Sequence, residues 1–184
     1  MKRGRGSLTG GTGDVNPQWF NLGLSNMTAT YADAAIQLPR ERLPYGNASQ
    51  VMEVLRVEFS PAGTSTLNIT AGTDSAARIY VTTKTFGIVE PTATQSSGNV
   101  IAKWRVEMPS EGTGLTTCIM NTPFVVDLTD GVGHGLLVAT DSIFVGNIQT
   151  AATSPINASV NVRLLYRWKN VGLSEYIGIV SSQQ

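Results

Sequence analysis

Hydrophobic and polar residues alternate along two stretches of the chain, ASVNVRLLYRWKN (158–170) and NVIAKWRVEM (99–108). A period of two places successive side chains on opposite faces of a β-strand, so each stretch predicts a half-buried strand with a cationic outer side. The predicted inward set is Val160, Val162, Leu164, Tyr166 and Trp168 in the first stretch, and Val100, Ala102, Trp104, Val106 and Met108 in the second, where Ile101, Lys103, Arg105 and Glu107 face outward.

Short segments rich in Val, Ile, Thr and aromatic residues, bounded by Gly, Pro, Asn and Ser, continue from about residue 26 onward. They predict an all-β domain, and the mixture of tight and long connections favours a single eight-stranded antiparallel jelly-roll sandwich. An immunoglobulin-like sandwich is disfavoured because its typical Cys, Trp, Cys spacing is missing. The predicted strands are 26–38, 50–60, 76–84, 99–107, 122–129, 135–146, 157–169 and 172–180, with a minor segment at 64–70.

The segment QVMEVLRVEF (50–59) is compatible with two structures, since its apolar residues also fit the stripe of an amphipathic helix. Its Val content and the β-rich segments around it favour a strand. In that strand Leu55, Val57 and Phe59 are predicted to point inward and Arg56 outward.

The first eighteen residues, MKRGRGSLTGGTGDVNPQ, differ in character from the rest of the chain. Lys2, Arg3 and Arg5 are clustered there among glycines, which give the backbone freedom and have no side chain to bury. We therefore predict a flexible basic arm over residues 1–18 and one jelly-roll domain over residues 19–184.

The composition favours self-association. Charged residues make up 14% of the chain, against roughly 25% in an average soluble domain, and the formal net charge at pH 7 is +0. Low charge removes the repulsion that keeps monomers apart, although a neutral secreted domain would share this composition.

No apolar run reaches the ~20 residues that would cross a bilayer, and no apolar segment typical of a secretory signal follows the cations. Synthesis inside a cell, without membrane insertion, is expected.

The chain offers few groups for catalysis or metal binding. Cys118 is the single cysteine, which excludes an internal disulfide and a cysteine pair for a metal. His134 is the single histidine and lies in the Gly-rich connection DGVGHGLL, where an ordinary loop role is favoured over that of a general base. We therefore expect no catalytic residues, no metal site, no cofactor and no enzymatic activity.

The cations of the predicted strands suggest a nucleic-acid interface. In a jelly roll the second, seventh, fourth and fifth strands share a sheet, which would gather six Lys and Arg residues on one face. Glu58, Glu107 and Asp127 would share that face and reduce the excess to about three positive charges. The face is either a set of cross-strand ion pairs or a surface that neutralises phosphates together with the arm. The six cations are Arg56, Lys103, Arg105, Arg163, Arg167 and Lys169.

The tryptophans and Phe20 have alternative roles. Trp19 and Phe20 directly follow the arm, where they either anchor it to the core, the commoner outcome, or stack on bases. Trp104 and Trp168 point inward in the predicted register and are assigned to the core.

Three stretches resemble the capsid proteins of small circular Rep-encoding single-stranded DNA viruses, in particular environmental relatives of circoviruses. They are GSLTGGTGDVNPQ, QVMEVLRVEF and RLLYRWKNVGLSEYIGIVSSQ. The resemblance implies a virion protein with a single jelly roll, a T=1 icosahedral shell of about sixty copies, and an arm (Lys2, Arg3 and Arg5) facing packaged single-stranded DNA. Circovirus-type arms are usually longer and richer in arginine than this one. An arm with three cations is therefore expected to neutralise less of the genome.

Two other functions fit the same pattern. The coat protein of a satellite RNA virus would also be a jelly roll of this length. A carbohydrate-binding or adhesive β-sandwich would expose aromatic side chains, for which Tyr31, Tyr45 and Tyr80 are candidates. The sequence assigns no residue to a host receptor.

Overall fold

The computed structural model describes residues 16–23, 31–38, 48–61, 65–69, 75–85, 99–108, 116–120, 122–149 and 160–183. Eleven strands and one helix lie in these ranges. They are β1 (Gln18–Asn21), β2 (Tyr31–Gln37), β3 (Ala48–Pro61), β4 (Ser65–Ile69), β5 (Ser75–Thr82), β6 (Val100–Met108), β7 (Thr116–Met120), β8 (Phe124–Asp127), β9 (Leu136–Val138), β10 (Ser142–Gln149), β11 (Val160–Gly172) and α1 (Leu173–Ser182).

The strands form two main antiparallel sheets. Sheet 1 has the order β1-β11-β3-β8, with β9 also paired to β3, and sheet 2 has the order β2-β10-β5-β6. The short strands β4 and β7 pair with each other. If β8 and β9 are taken as one interrupted strand, sheet 1 joins the first, last, third and sixth principal strands, and sheet 2 joins the second, seventh, fourth and fifth. This is the strand order of a jelly roll, so the predicted all-β fold is confirmed.

The core lies between the two sheets and follows the predicted alternation. Val160, Val162, Leu164 and Tyr166 of β11 are buried, and Trp168 packs against the same cluster while half-buried. Residues from sheet 2 complete the cluster, among them Ile79, Val81, Ala102, Trp104, Ile143 and Val145.

Two bulges change the predicted direction of single side chains. Val54 pairs with Tyr166 and Arg56 with Leu165, so Leu55 is an extra residue in β3. Leu55 is buried but lies outside the main core cluster, whereas Val57 and Phe59 belong to the cluster as predicted. A register shift in the β5–β6 pairing similarly turns Ile101, predicted to face outward, into the core.

Several predicted boundaries were wrong. The predicted strand 135–146 is divided into β9 and β10. The minor segment 64–70 does form a strand, β4. β1 was not predicted as a strand, and it begins at Gln18, the last residue of the predicted arm. Residues 1–15 of the arm lie outside the described ranges.

The predicted last strand, 172–180, is the helix α1. Tyr176, Ile179 and Val180 recur at the spacing of one face of a helix, and burial of this face favours a helix over a continuation of β11. α1 packs through Tyr176, Ile179 and Val180 onto a small cluster of Val51, Ala139 and Val171. Val51 and Val171 alternate with core residues along β3 and β11, so α1 covers one end of the outer face of sheet 1.

Candidate nucleic-acid interface

The outer face of sheet 1 carries a ladder of ion pairs between directly opposed residues. Arg163 of β11 pairs in register with Glu58 of β3, and its Nη2 donates hydrogen bonds to Glu58 Oε1 at 2.8 Å and Oε2 at 2.9 Å. Ser60 Oγ donates a further bond to Oε1 at 3.0 Å. Burial by itself would raise the pKa of Glu58, but the hydrogen bonds from Arg163 and Ser60 and the nearby guanidinium groups hold it below the usual 4.5.

A second pair joins Glu53 of β3 to Arg167, its cross-strand neighbour on β11. The Glu53 side chain is 1% exposed and accepts hydrogen bonds from Arg167 Nε and from the backbone N–H of Gly135. Burial raises the pKa of Glu53, yet these bonds and the charges of Arg167 and Lys169 outweigh burial and keep the pKa below 4.5. Glu53 is therefore a buried carboxylate that stays ionised at neutral pH.

Glu53 also holds the connection between β8 and β9 in place. Gly135 N–H binds Glu53 at 3.1 Å, and Arg167 Nη2 donates to the carbonyl of Gly133 at 3.0 Å. Asp130 Oδ1 accepts from the N–H groups of Val132 and His134 at 2.9 and 3.0 Å, which lowers the pKa of Asp130. The β8–β9 connection is thus fixed by hydrogen bonds within itself, to Asp130, and by hydrogen bonds to Glu53 and Arg167 of the sheet.

His134 lies at the edge of this network. Its Nδ1 is 3.7 Å from Glu53 Oε1, and most of its side chain is exposed. The described residues include no group of three or more His, Cys, Asp or Glu side chains that could hold a metal ion. The Cys118 backbone belongs to β7, and its side chain is outside the described set.

The third pair, Arg56 with Asp127 of β8, is exposed. The two residues are directly opposed, the Nη2–Oδ2 distance is 3.6 Å, and their side chains are 44% and 54% exposed. Hydrogen bonds from the side chain and backbone of Thr129 lower the pKa of Asp127, with a smaller contribution from Arg56. An ion pair of this kind contributes little to stability because water screens it.

The pairing leaves the outer face of sheet 1 almost neutral. Four of the predicted cations lie there, Arg56, Arg163, Arg167 and Lys169, against three carboxylates, Glu53, Glu58 and Asp127. The excess is one positive charge and not the predicted three. Glu53 was missed as a partner, although its alternation with Met52 and Val54 places it outward, opposite a cation of β11.

Lys103 and Arg105 were predicted on the same face but belong to β6 of sheet 2. With Asp127 and Phe124 they line a groove of about 700 Å³ between the β6 and β8 edges of the two sheets. Lys103 Nζ lies 5.7 Å from the ring centre of Tyr80.

One of the three tyrosines proposed for carbohydrate binding is buried. Tyr80 is 3% exposed and therefore unsuited to an exposed glycan platform. Tyr45 and the side chain of Tyr31 are outside the described set.

Trp19 and Phe20 have different roles, because consecutive residues of a strand face opposite ways. Phe20 packs against the core, with its ring 6.1 Å from that of Tyr166. Trp19 is 46% exposed on the outer face of sheet 1, and Arg163 Cζ lies 4.3 Å from its ring centre. Phe20 is thus the anchor, and Trp19 remains open to a ligand.

Two predictions remain, one on the cations of the arm and one on membrane insertion. Lys2, Arg3 and Arg5 precede the first described residue. Within the described ranges, no helix has both the length and the apolar character needed to span a bilayer.

Comparison with solved structures gives the fold a context. The VP1 protein of trichodysplasia spinulosa-associated polyomavirus, in complex with GM1 oligosaccharide, superimposes with a TM-score of 0.56 over 88% of this chain and 97% of that one, at 12% identity. The chain has the fold of a viral jelly-roll capsid protein. Merkel cell polyomavirus VP1 in complex with GD1a oligosaccharide gives 0.55 over 87% and 98%, at 9% identity.

Apo VP1 of New Jersey polyomavirus is similar at a TM-score of 0.53 and 11% identity, over 85% of this chain and 100% of that one. No protein-family model matches the sequence, and no curated protein matches it. At these identities the likeness extends to the fold and no further.

Proposed function

We propose that this protein is the structural subunit of a small icosahedral virus capsid. The observation that carries the proposal is the jelly-roll strand order of the two sheets, and the superposition of VP1 on 88% of the chain supports it. Fold alone does not assign function, so the chemistry of the surface must agree with it.

The surface chemistry agrees with self-assembly. The net charge is +0, and three cations on the outer face of sheet 1 are each matched by a carboxylate across the strands. A nearly uncharged subunit meets little electrostatic resistance when identical copies pack together. We propose a T=1 shell of about sixty copies, because a subunit of this size forms closed symmetric assemblies most simply from equivalent contacts.

The genome is proposed to be single-stranded DNA, bound mainly by the arm. Lys2, Arg3 and Arg5 are clustered without a single acidic residue among the first thirteen positions. The strand cations contribute less to this role, since Glu58 and Glu53 already neutralise Arg163 and Arg167. Lys103 and Arg105, on the other sheet, could add a second contact to phosphates.

Assembly is tested by measuring particle mass. The full chain is expressed in cells, purified, and examined by light scattering and negative-stain electron microscopy at low and high salt. Sixty subunits of 19.6 kDa predict particles of about 1.2 MDa. A monodisperse monomer at every salt concentration would contradict the capsid function.

The nucleic acid is identified in the same particles. Nuclease-protected material is extracted and treated separately with DNase and RNase. Digestion by DNase is expected, whereas protected RNA would favour the alternative of a satellite RNA virus coat.

Glycan recognition is a second candidate function, because two of the similar VP1 structures are complexes with GM1 and GD1a oligosaccharides. Burial of Tyr80 removes one of the aromatic residues that such a site would need. A glycan array probed with the assembled protein tests this function, and binding by a soluble monomer would favour an adhesive module over a capsid.

A further inference from the structure

Two described aromatic residues of sheet 1, Trp19 and Phe124, are exposed. The Phe124 ring stacks on that of Trp104, whereas Trp19 lies beside Arg163. A tryptophan normally buries its large ring, yet this one leaves 46% of its surface in solvent at the edge strand β1. Its neighbour Phe20 already anchors β1 to the core. Burial in the core therefore does not account for the position of the Trp19 ring.

The ring is held in place from one side. Arg163 lies over it at 4.3 Å, and Arg163 is itself fixed by two hydrogen bonds to Glu58. Ser60 in turn donates to Glu58. Because this series of contacts orients the indole before any ligand arrives, binding would cost little conformational entropy.

A shallow depression of about 430 Å³ adjoins the ring. This volume is within the range of small-ligand sites, and the lining combines an aromatic face with amides, a hydroxyl and a carboxylate. Those groups suit the flat ring and polar edge of a nucleobase better than a phosphate, because Glu58 neutralises Arg163. The lining residues are Trp19, Asn21, Glu58, Ser60, Asn161 and Arg163.

We propose that Trp19 is a stacking platform for an unpaired base of single-stranded nucleic acid, with Arg163 and Glu58 fixing the ring. The proposal rests on the proposed packaging function and names a base-contacting site within it. The arm supplies charge to phosphates, and Trp19 supplies a contact that depends on the base.

The position of Trp19 in the chain agrees with this division. Trp19 lies fourteen positions after Arg5, a length of chain that spans at most about 50 Å when fully extended. A nucleic-acid strand held at Arg5 therefore lies no more than about 50 Å from Trp19 of the same subunit.

The experiment compares two strands with the same phosphates. The full chain is freed of nucleic acid in high salt and mixed there with a fluorescent twenty-nucleotide dT strand or an abasic strand of equal length. Anisotropy is then followed as the salt is diluted. Wild type is expected to bind dT about 5- to 150-fold more tightly than the abasic strand, the range typical of one stacked base.

Substitution locates the effect. Trp19→Ala is expected to bring the ratio of the two affinities to about one while the abasic affinity stays the same, and Trp19→Phe should keep part of the preference. Leu173→Ala is the matched control, since Leu173 is an exposed apolar residue on α1, and it should retain the wild-type ratio.

The outcomes separate this inference from the packaging function. Equal binding of both strands by wild type, or an unchanged ratio in Trp19→Ala, would overturn the stacking platform and leave packaging by the arm intact. Binding of neither strand would overturn both. Loss of glycan-array binding in Trp19→Ala, without any change in the dT ratio, would assign the ring to a saccharide and also reject the inference.

Discussion

Glu53 is the residue on which the outer face of sheet 1 most depends. Its carboxylate is buried, and three groups from two other elements converge on it: Arg167, the N–H of Gly135 and, at 3.7 Å, His134. A buried charge is tolerated only when it is paired and hydrogen-bonded. Removing the charge would take the carboxylate away from Arg167 and would weaken the hold on the connection before β9.

We predict that Glu53→Gln lowers the free energy of unfolding by about 3 kcal/mol, because it breaks a buried ion pair. Asp127→Asn is the matched control, since the Arg56–Asp127 pair is exposed, and its unfolding midpoint should equal that of wild type. Urea unfolding followed by fluorescence measures both. Equal stability of the two variants would show that the Glu53 network contributes little.

The same carboxylates predict acid sensitivity. The pKa values of Glu53 and Glu58 are lowered on folding from the usual 4.5, so their stabilisation is complete above pH 4.5 and is lost as the pH falls through their folded pKa values. The free energy of unfolding should therefore decrease from about pH 5 downward. Urea unfolding at pH 7, 5, 4 and 3 checks the slope, which should be shallower in Glu53→Gln; an identical slope would exclude Glu53 as a cause.

At the scale of elements, strands with a strict alternation could be predicted from the sequence, and elements defined by distant partners could not. β11 alternates over its first nine residues, and its buried side chains agree with the prediction. β1 has four residues, and its strand conformation comes from pairing with β11, whose residues lie more than a hundred positions away. No local pattern marks such a strand.

Missing β1 had a consequence for the candidate site. If β1 is left out, the strand 26–38 becomes the first strand of the jelly roll. Each later strand then takes a position one place too early, and 172–180 becomes the eighth strand. The third and last strands, β3 and β11, were therefore grouped with β6, although β6 lies in sheet 2. Lys103 and Arg105 were placed beside Arg163 for this reason alone.

Two Gly→Ala substitutions test the helix α1 and the close contact between Gly135 and β3. Gly178 lies within α1, and a Cβ added there would meet no atom within 4 Å, so Gly178→Ala should raise the free energy of unfolding by about 0.5–1 kcal/mol through helix propensity. At Gly135 a Cβ would lie 2.2 Å from the Val54 carbonyl oxygen, and Gly135→Ala should cost about 1–3 kcal/mol. Thermal unfolding measures both; destabilisation by Gly178→Ala would argue against the helix.

At the scale of the whole molecule, the arm and the outer face of sheet 1 differ in how their cations are balanced. The described outer face of sheet 1 balances its cations with carboxylates, whereas residues 2–13 contain three cations and no acidic residue. Replacing Arg163 or Arg167 would therefore disturb the sheet itself, because Glu58 or Glu53 would lose its partner. The cations of the arm can be changed without breaking an ion pair described on the outer face of sheet 1.

Deleting residues 2–13 changes the formal net charge from +0 to −3, by the loss of Lys2, Arg3 and Arg5. We predict that particles still form and that their ratio of absorbance at 260 nm to that at 280 nm falls towards that of protein. Since each phosphate contact to a single strand contributes about 0.7 to the salt slope of binding, loss of three contacts should make that slope shallower by about 2.

The triple substitution of Lys2, Arg3 and Arg5 by Ser keeps the arm length and should reproduce both effects. An unchanged absorbance ratio in both variants would transfer packaging to the strand cations, and the double variant Lys103→Ser, Arg105→Ser, which leaves the ion pairs of sheet 1 intact, would then be expected to lower it.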